Sequence, residues 1–223
     1  MIEKPIISAI EAAKYIKDND VLMVGGFLGC GSPTSIIQAL LNQGTKNLTL
    51  IANDTGILNQ DKGIATGAAS LVASKRFKKL IVTHIGTNKE SGKQMNNNET
   101  EVDLVPQGTL AERIRSAGVG LGGILTPTGI GTEVEEGKKI IEVSGKKYLL
   151  EEALSADVAI IKAKKCDKSG NLIYSKSAKN FNPLMAMAAK IVIAEVDEIV
   201  EIGEIDPEIV MTPFIFIDYL VKS

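Results

Sequence analysis

Val21-Leu-Met-Val-Gly-Gly-Phe-Leu-Gly-Cys-Gly-Ser-Pro33 is the stretch whose reading decides the fold. An apolar run passes straight into a glycine-rich loop, and a helical pattern begins directly after it. The run reads as a short buried strand. Gly25, Gly26, Gly29 and Gly31 carry no Cβ, so the backbone between them can turn tightly and come close to a ligand. Ser32 is a good N-cap and Pro33 suits a first helical position, so the loop delivers a helix N-terminus. Unpaired N–H groups and a partial positive charge at such an end suit a phosphate or a carboxylate.

Working outward, Ser8 and Glu11 form a capping-box pattern that starts a helix reaching about Lys17. After Pro33, Ile36, Ile37, Leu40 and Leu41 fall on one helical face, and Gly44 stops the helix. Strands are expected at Leu48–Asn53, Leu80–Ile85, Val102–Val105, Val158–Ala163 and Ile191–Val196. Helices are expected at Ala68–Phe77, Thr109–Ser116 and Pro183–Ala189. Residues 54–66 read as a loop. Gly86–Thr100 is polar with no apolar period and reads as a mobile surface loop. Gly118–Gly131 is too glycine-rich for a regular element. Lys139–Val143 and Lys147–Leu150, split by Ser-Gly, read as a hairpin. Near-continuous apolar strands alternating with helices give an α/β fold, in which a central, mainly parallel sheet is flanked by helices and carries a small antiparallel hairpin appendage. With no repeat and no disordered linker, residues 1–223 read as one domain.

Composition narrows the function. In 223 residues, Lys+Arg 25 against Asp+Glu 27 leaves a net charge of -2, which argues against nucleic acid or an anionic membrane as the main partner. No apolar run reaches the ~18 residues of a membrane span. The N-terminus lacks the regions of a signal peptide, and Cys30 and Cys166 make no disulfide framework, so a reducing cytoplasm is expected.

Several candidate residues have plainer roles. Gly118, Gly120 and Gly123 satisfy G-x-G-x-x-G, but they follow a helix rather than a strand, so a dinucleotide fingerprint is rejected. His84, the sole histidine, has no companion at metal-ligand spacing, and a hydrogen-bonded strand-end role is expected, with no metal site. Cys30 lacks a general-base partner in sequence and reads as structural. Glu133, Glu135 and Glu136 read as a solvated face. Asn53 and Gln107 stand apart: each sits where an expected strand gives way to a loop, on the side where a parallel sheet binds ligands. A neutral amide there can hold a carboxylate or an oxyanion without a charge to desolvate.

Six strings, taken in order, carry a family resemblance: Gly25-Gly-Phe-Leu-Gly-Cys-Gly31, Leu50-Ile-Ala-Asn-Asp-Thr55, His84-Ile-Gly-Thr-Asn88, Val105-Pro-Gln-Gly-Thr-Leu110, Leu125-Thr-Pro-Thr-Gly-Ile-Gly-Thr132 and Ser177-Ala-Lys-Asn-Phe-Asn182. Together they span nearly the whole chain. The chain resembles the alpha subunit of the family I, or 3-oxoacid, coenzyme A transferases, and within it the short-chain enzymes that use acetate, butyrate or acetoacetate. The resemblance implies transfer of coenzyme A between an acyl-CoA and a free acid in a ping-pong cycle, with CoA as substrate and no resident cofactor. It assigns a CoA contact to Gly25, Gly26, Phe27, Leu28, Gly29, Cys30 and Gly31, and the substrate carboxylate to Gln107 and Asn53. It places Gly118–Gly131 in the cleft or at the subunit junction. The nucleophile it implies is a glutamate in a Glu-Asn-Gly string of the B (beta) subunit. This chain lacks that string, and the implied assembly is a heterotetramer of two alpha and two beta chains. A sugar-phosphate isomerase and a metabolite-binding sensor domain on a related fold are the competing readings.

Overall fold

Each near-continuous apolar run becomes a strand covered on both faces, and the amphipathic stretches between them become the cover. The computed structural model describes residues 2–59 and 61–223. In chain order, β1 (Ile6–Ile7) leads to α1 (Ala9–Ala13), β2 (Val21–Val24), α2 (Thr34–Gln43) and β3 (Leu48–Ile51). A ribbon of β4 (Leu58–Asn59) and β5 (Ile64–Ala65) precedes α3 (Ala69–Ala73), β6 (Phe77–Val82), α4 (Lys89–Asn96), β7 (Glu101–Leu104) and α5 (Gln107–Gly118). Next come β8 (Gly123–Thr126), β9 (Ile140–Val143) and β10 (Lys146–Glu152). The chain closes with β11 (Ala156–Asp167), β12 (Leu172–Ile173), α6 (Asn182–Met187), β13 (Ala189–Val200) and β14 (Tyr219–Lys222).

The main sheet runs β1-β14-β13-β11-β2-β3-β6-β7, with every neighbouring pair parallel. Strand β12 pairs antiparallel with β11 at its far end. Alternation along β2 sorts the core. Leu22 and Val24 pack with Ile16, Ile36, Leu40 and Leu71 on one face. Met23 packs with Leu110, Ile114 and Met185 on the other. From β2 the chain steps outward through β3, β6 and β7, then returns to the other side of β2 for β11, β13 and β14. The carboxyl end of β2 therefore lies at the reversal of strand order, where open α/β sheets bind ligands. The expected mainly parallel sheet with helices on both faces is what the chain forms.

The hairpin also forms, its strands β9 and β10 joined by Ser144 and Gly145, both at positive φ. It gains a third strand from the segment set aside as too glycine-rich: β8 pairs antiparallel with β10 from Gly123 to Thr126. The largest correction concerns Gly86–Thr100, which is not a loop. Asn88 caps α4 by accepting a hydrogen bond from Glu90 N, and Asn88, Ser91 and Gln94 are buried at helical spacing. The buried stripe is polar, so no apolar period announces it. The expected helix at Ala68–Phe77 stops at Ala73, because Lys75 takes φ 53 and Phe77 opens β6.

Candidate active site

The carboxyl ends of β2, β3, β6 and β7 converge on one cluster. Phe27 and Cys30 exchange backbone hydrogen bonds (N···O 3.0 and 2.8 Å), so Leu28 and Gly29 form a two-residue turn with φ 49 and 90. Glycine takes the second position freely. Leucine at the first costs about 1–2 kcal/mol, which outside contacts must offset. Asp54 and Thr66 make those contacts: the Asp54 carboxylate accepts Leu28 N at 2.9 Å, and the Thr66 hydroxyl donates to Leu28 O at 3.3 Å. Asp54 also accepts Gly56 N at 2.7 Å and Asn53 Nδ2 at 2.7 Å.

Asn53 in turn accepts Gln107 Nε2 at 2.6 Å, while Thr83 Oγ1 donates to Asn53 O at 2.8 Å. One connected network thus runs from the glycine turn through Asp54 and Asn53 to Gln107. It brings together the residues that the sequence singled out at positions 25–31, 53 and 107. Their settings differ. Asn53 is 2% exposed, with both ends of its amide engaged. Gln107 is exposed at the first position of α5 rather than in a loop, and its Oε1 and second Nε2 hydrogen have no partner among the described residues.

The far side of the loop is clamped by the segment before β13. Asn182, fully buried, donates to Gly31 O (3.0 Å) and Ala178 O (2.8 Å) and accepts Lys162 N (3.1 Å). A Cβ on Gly25 would stand 1.8 Å from Asn182 Oδ1, so only glycine allows this approach. Asn180 Nδ2 donates to Cys30 O at 3.0 Å. The N–H groups of Gly26, Gly29 and Gly31 make no hydrogen bond among the described residues. Phe27 is 41% exposed beside them. The loop therefore keeps three backbone donors without a partner among the described residues.

The helix after the loop does not play its expected part. Pro33, not Ser32, is the N-cap of α2, and neither side chain caps it. The N–H groups of Ser35 and Ile36 are taken by the carboxylate of Glu195 at 2.9 and 3.1 Å. The anion at this helix end is the protein's own, held in place by Lys162 at 3.2 Å. Those two N–H groups at the start of α2 are therefore already occupied and not free for a ligand.

His84 is exposed after β6 and its side chain has no hydrogen bond among the described residues, so the hydrogen-bonded role expected for it is not seen. Cys30 is exposed, its Sγ 3.2 Å from Ser177 Oγ. Burial pushes the Cys166 thiol up to about 12, which removes it from thiolate chemistry near neutral pH. Among the described residues, no group of three or more His, Cys, Asp or Glu side chains is placed to hold a metal ion. No helix among them is long and apolar enough to cross a membrane.

Comparison with known proteins gives the family. The Coenzyme A transferase family matches residues 6–223. The chain belongs to the coenzyme A transferases. It is 50% identical over 213 residues to the alpha subunit of the acetate CoA-transferase of Escherichia coli K12, covering 96% of this chain and 94% of that one. It is also 50% identical over 209 residues to the alpha subunit of the acetoacetyl-CoA:acetate/butyrate CoA transferase of Clostridium acetobutylicum, with 94% and 93% covered. An acyl-CoA transferase of E. coli O157:H7, solved as a thioester complex with CoA, superposes with a TM-score of 0.85 at 26% identity. That likeness covers 99% of this chain but 47% of the solved one, so this transferase chain spans about half of its length. The isomerase and sensor readings give way to the transferase.

Sequence reasoning gave no role to Asp54, Thr66, Thr83, Asn182 or Glu195, although Asp54 and Asn182 lie in strings that carry the resemblance. Two of the five also left a local signal. Asp54 directly follows an apolar strand and Asn53, and Glu195 is a carboxylate inside the apolar run Ile191–Val196. A charge within a buried strand requires a partner elsewhere in the fold.

Proposed function

We propose that this transferase chain is the alpha subunit of a short-chain acyl-CoA:carboxylate CoA-transferase of the acetate, butyrate or acetoacetate type. It works with a beta subunit in an assembly of two alpha and two beta chains, and the region Gly118–Gly131 faces that partner. The observation that carries the reading is the state of the carboxylates beside the cluster. Asp54 is the one that touches both the glycine turn and Asn53, and it is 6% exposed and accepts three N–H groups. It is committed to structure, and no Glu-Asn-Gly string occurs in the sequence. The cluster offers donors and lacks a nucleophile, which fits one wall of a site completed by another chain.

In the cycle we propose, a glutamate of the partner attacks the thioester carbonyl, and the C–S bond breaks to release the CoA thiolate. The resulting acyl-glutamyl anhydride is attacked by that thiolate at the glutamyl carbonyl. The first acid leaves as its carboxylate, and a glutamyl-CoA thioester remains. A second carboxylate reverses both steps and leaves as the new acyl-CoA. Throughout, the thioester's free energy passes to another acyl bond instead of to water, which requires a closed, dry cleft between the chains. The loop Gly25–Gly31 supports CoA with its free N–H groups. Gln107, oriented by Asn53, offers its free N–H to the substrate carboxylate or to the developing oxyanion, where a neutral donor needs no counter-charge.

The test is reconstitution. The purified chain alone is expected to show no exchange between acetoacetyl-CoA and acetate, and addition of the beta subunit is expected to restore it. Exchange by the isolated chain would overturn the division of labour.

A further inference from the structure

Glu195 is 1% exposed in the middle of β13. A buried carboxylate is expensive unless its environment returns the lost hydration. Here Oε2 accepts Ser35 N and Ile36 N at the start of α2, and Oε1 accepts Lys162 Nζ and Ser223 Oγ, each at 3.2 Å. Lys162 is shared with Asp197 at 2.6 Å and also contacts Ser223 Oγ. The same Lys162 reaches the glycine loop by its backbone, through Asn182 to Gly31 O. The loop's entry is tied to that strand too, since Gly25 N donates to Ile160 O at 3.0 Å. Both ends of the loop are thus referenced to β11, and Glu195 sets the first turn of α2 against the same strand.

We propose that Glu195 is a positioning residue for acyl-CoA, an inference that rests on the function proposed above. Its carboxylate fixes the exit of the glycine loop. By filling the anion slot of α2, it also directs the anionic part of CoA to the N–H groups of Gly29 and Gly31. The carboxylate-binding pair makes no bond to Glu195 and is held directly by Asp54 and Thr83, reaching the loop only through Leu28.

This separation is measurable in the complete complex with the beta subunit, because a ping-pong enzyme reports a KM for each substrate. In Glu195→Gln, the KM for acyl-CoA is expected to rise about tenfold, the size of one lost charge-assisted hydrogen bond, while the KM for the free acid stays within about twofold. Glu195→Asp keeps the charge on a shorter arm and should show the same split at smaller size. A lower kcat with both KM values unchanged, or an equal rise in both, would show a merely structural residue and overturn the proposal. Failure of both variants to assemble would overturn it likewise. A wild-type complex without any exchange would instead defeat the underlying function, and this inference with it.

Discussion

The chain has two glycine-rich regions, Gly25–Gly31 and Gly118–Gly131, and they differ in how far the chain itself encloses them. In the first, the glycines are forced by what surrounds them. Gly25 lies against Asn182, and at Gly29 (φ 90) an added Cβ would stand 2.5 Å from Thr66 Cβ. In the second, Gly118, Gly123 and Gly129 press against Met187, Glu151 and Val134 of the same chain, but Gly120, Gly122 and Gly131 face nothing within 4 Å of an added Cβ, and Val119, Leu121 and Leu125 stand exposed around them. The first loop is enclosed by its own chain at each of its glycines; the second is enclosed at some and elsewhere presents an open, partly apolar surface. Glycine count reports only that a backbone must pass close to something. The difference lies in whether that something belongs to the same polypeptide.

The sharpest way to break the comparison is Gly25→Ala. The new methyl displaces the Asn182 amide and with it the bonds to Gly31, Ala178 and Lys162. A destabilisation of about 4 kcal/mol is expected, combining an overpacked position with the orphaned partners of a buried amide. Urea unfolding of the isolated chain measures this. In the reconstituted complex, exchange should fall by more than about 100-fold, since the donors of the loop no longer stand in register.

Next in size is Gln107→Ala. Gln107 is exposed and its hydrogen bond to Asn53 is its one tie to the network, so stability should change little. Steady-state kcat/KM should drop about 100-fold, the effect of removing one oriented donor from a polar site. The pair of outcomes separates assembly from chemistry: Gly25→Ala moves both measurements, Gln107→Ala only the kinetic one.

A smaller effect tests how far the bracing of the first loop extends. Asn88 is fully buried, caps α4 and donates to Thr55 O at 3.1 Å, directly beside Asp54. Thr87 donates to Gly56 O at 2.8 Å and Ser91 to Thr55 Oγ1 at 2.9 Å. The polar stripe of α4 thus holds the segment that holds Leu28. Asn88→Ala removes a cap and strands a buried carbonyl, together about 2 kcal/mol, or ~4–8 °C in Tm for a chain of this size. Thermal unfolding of the isolated chain checks it.

These residues show what was legible in the sequence. Strands such as Val21–Val24 and Leu48–Ile51 are readable because burial on both faces demands apolar residues throughout. The clustering of Gly25–Gly31, Asn53 and Gln107 is readable because parallel strands put their carboxyl ends on one side. Helix α4 is not readable, since Asn88, Ser91 and Gln94 offset their burial with hydrogen bonds rather than with apolar area. The full length of β11 and β13 is hidden for a related reason. Past Ala163 and Val196 both strands turn polar, and Lys165 ion-pairs with Glu198 across them, so the apolar runs end before the strands do. The capping of α2 by Glu195 joins residues about 160 positions apart, and no local pattern carries that information.

The smallest expected effect sharpens the comparison at its boundary. Gly122 and Gly123 are neighbours, yet a Cβ on Gly123 would stand 2.4 Å from Glu151 O, while one on Gly122 meets nothing within 4 Å. Gly122 already uses its carbonyl to accept Ala153 N at 3.1 Å, and an alanine leaves that bond intact. Gly122→Ala should therefore change the stability of the isolated chain by no more than about 0.5 kcal/mol, whereas Gly123→Ala strikes the ladder between β8 and β10. If the second glycine-rich region meets the beta subunit, as we propose, Gly122→Ala must nonetheless weaken assembly, because space empty in one chain is filled in two. Titration of the beta subunit onto the wild-type and Gly122→Ala chains measures that difference. An unchanged affinity would place the partner elsewhere and leave these glycines as the surface of a loop.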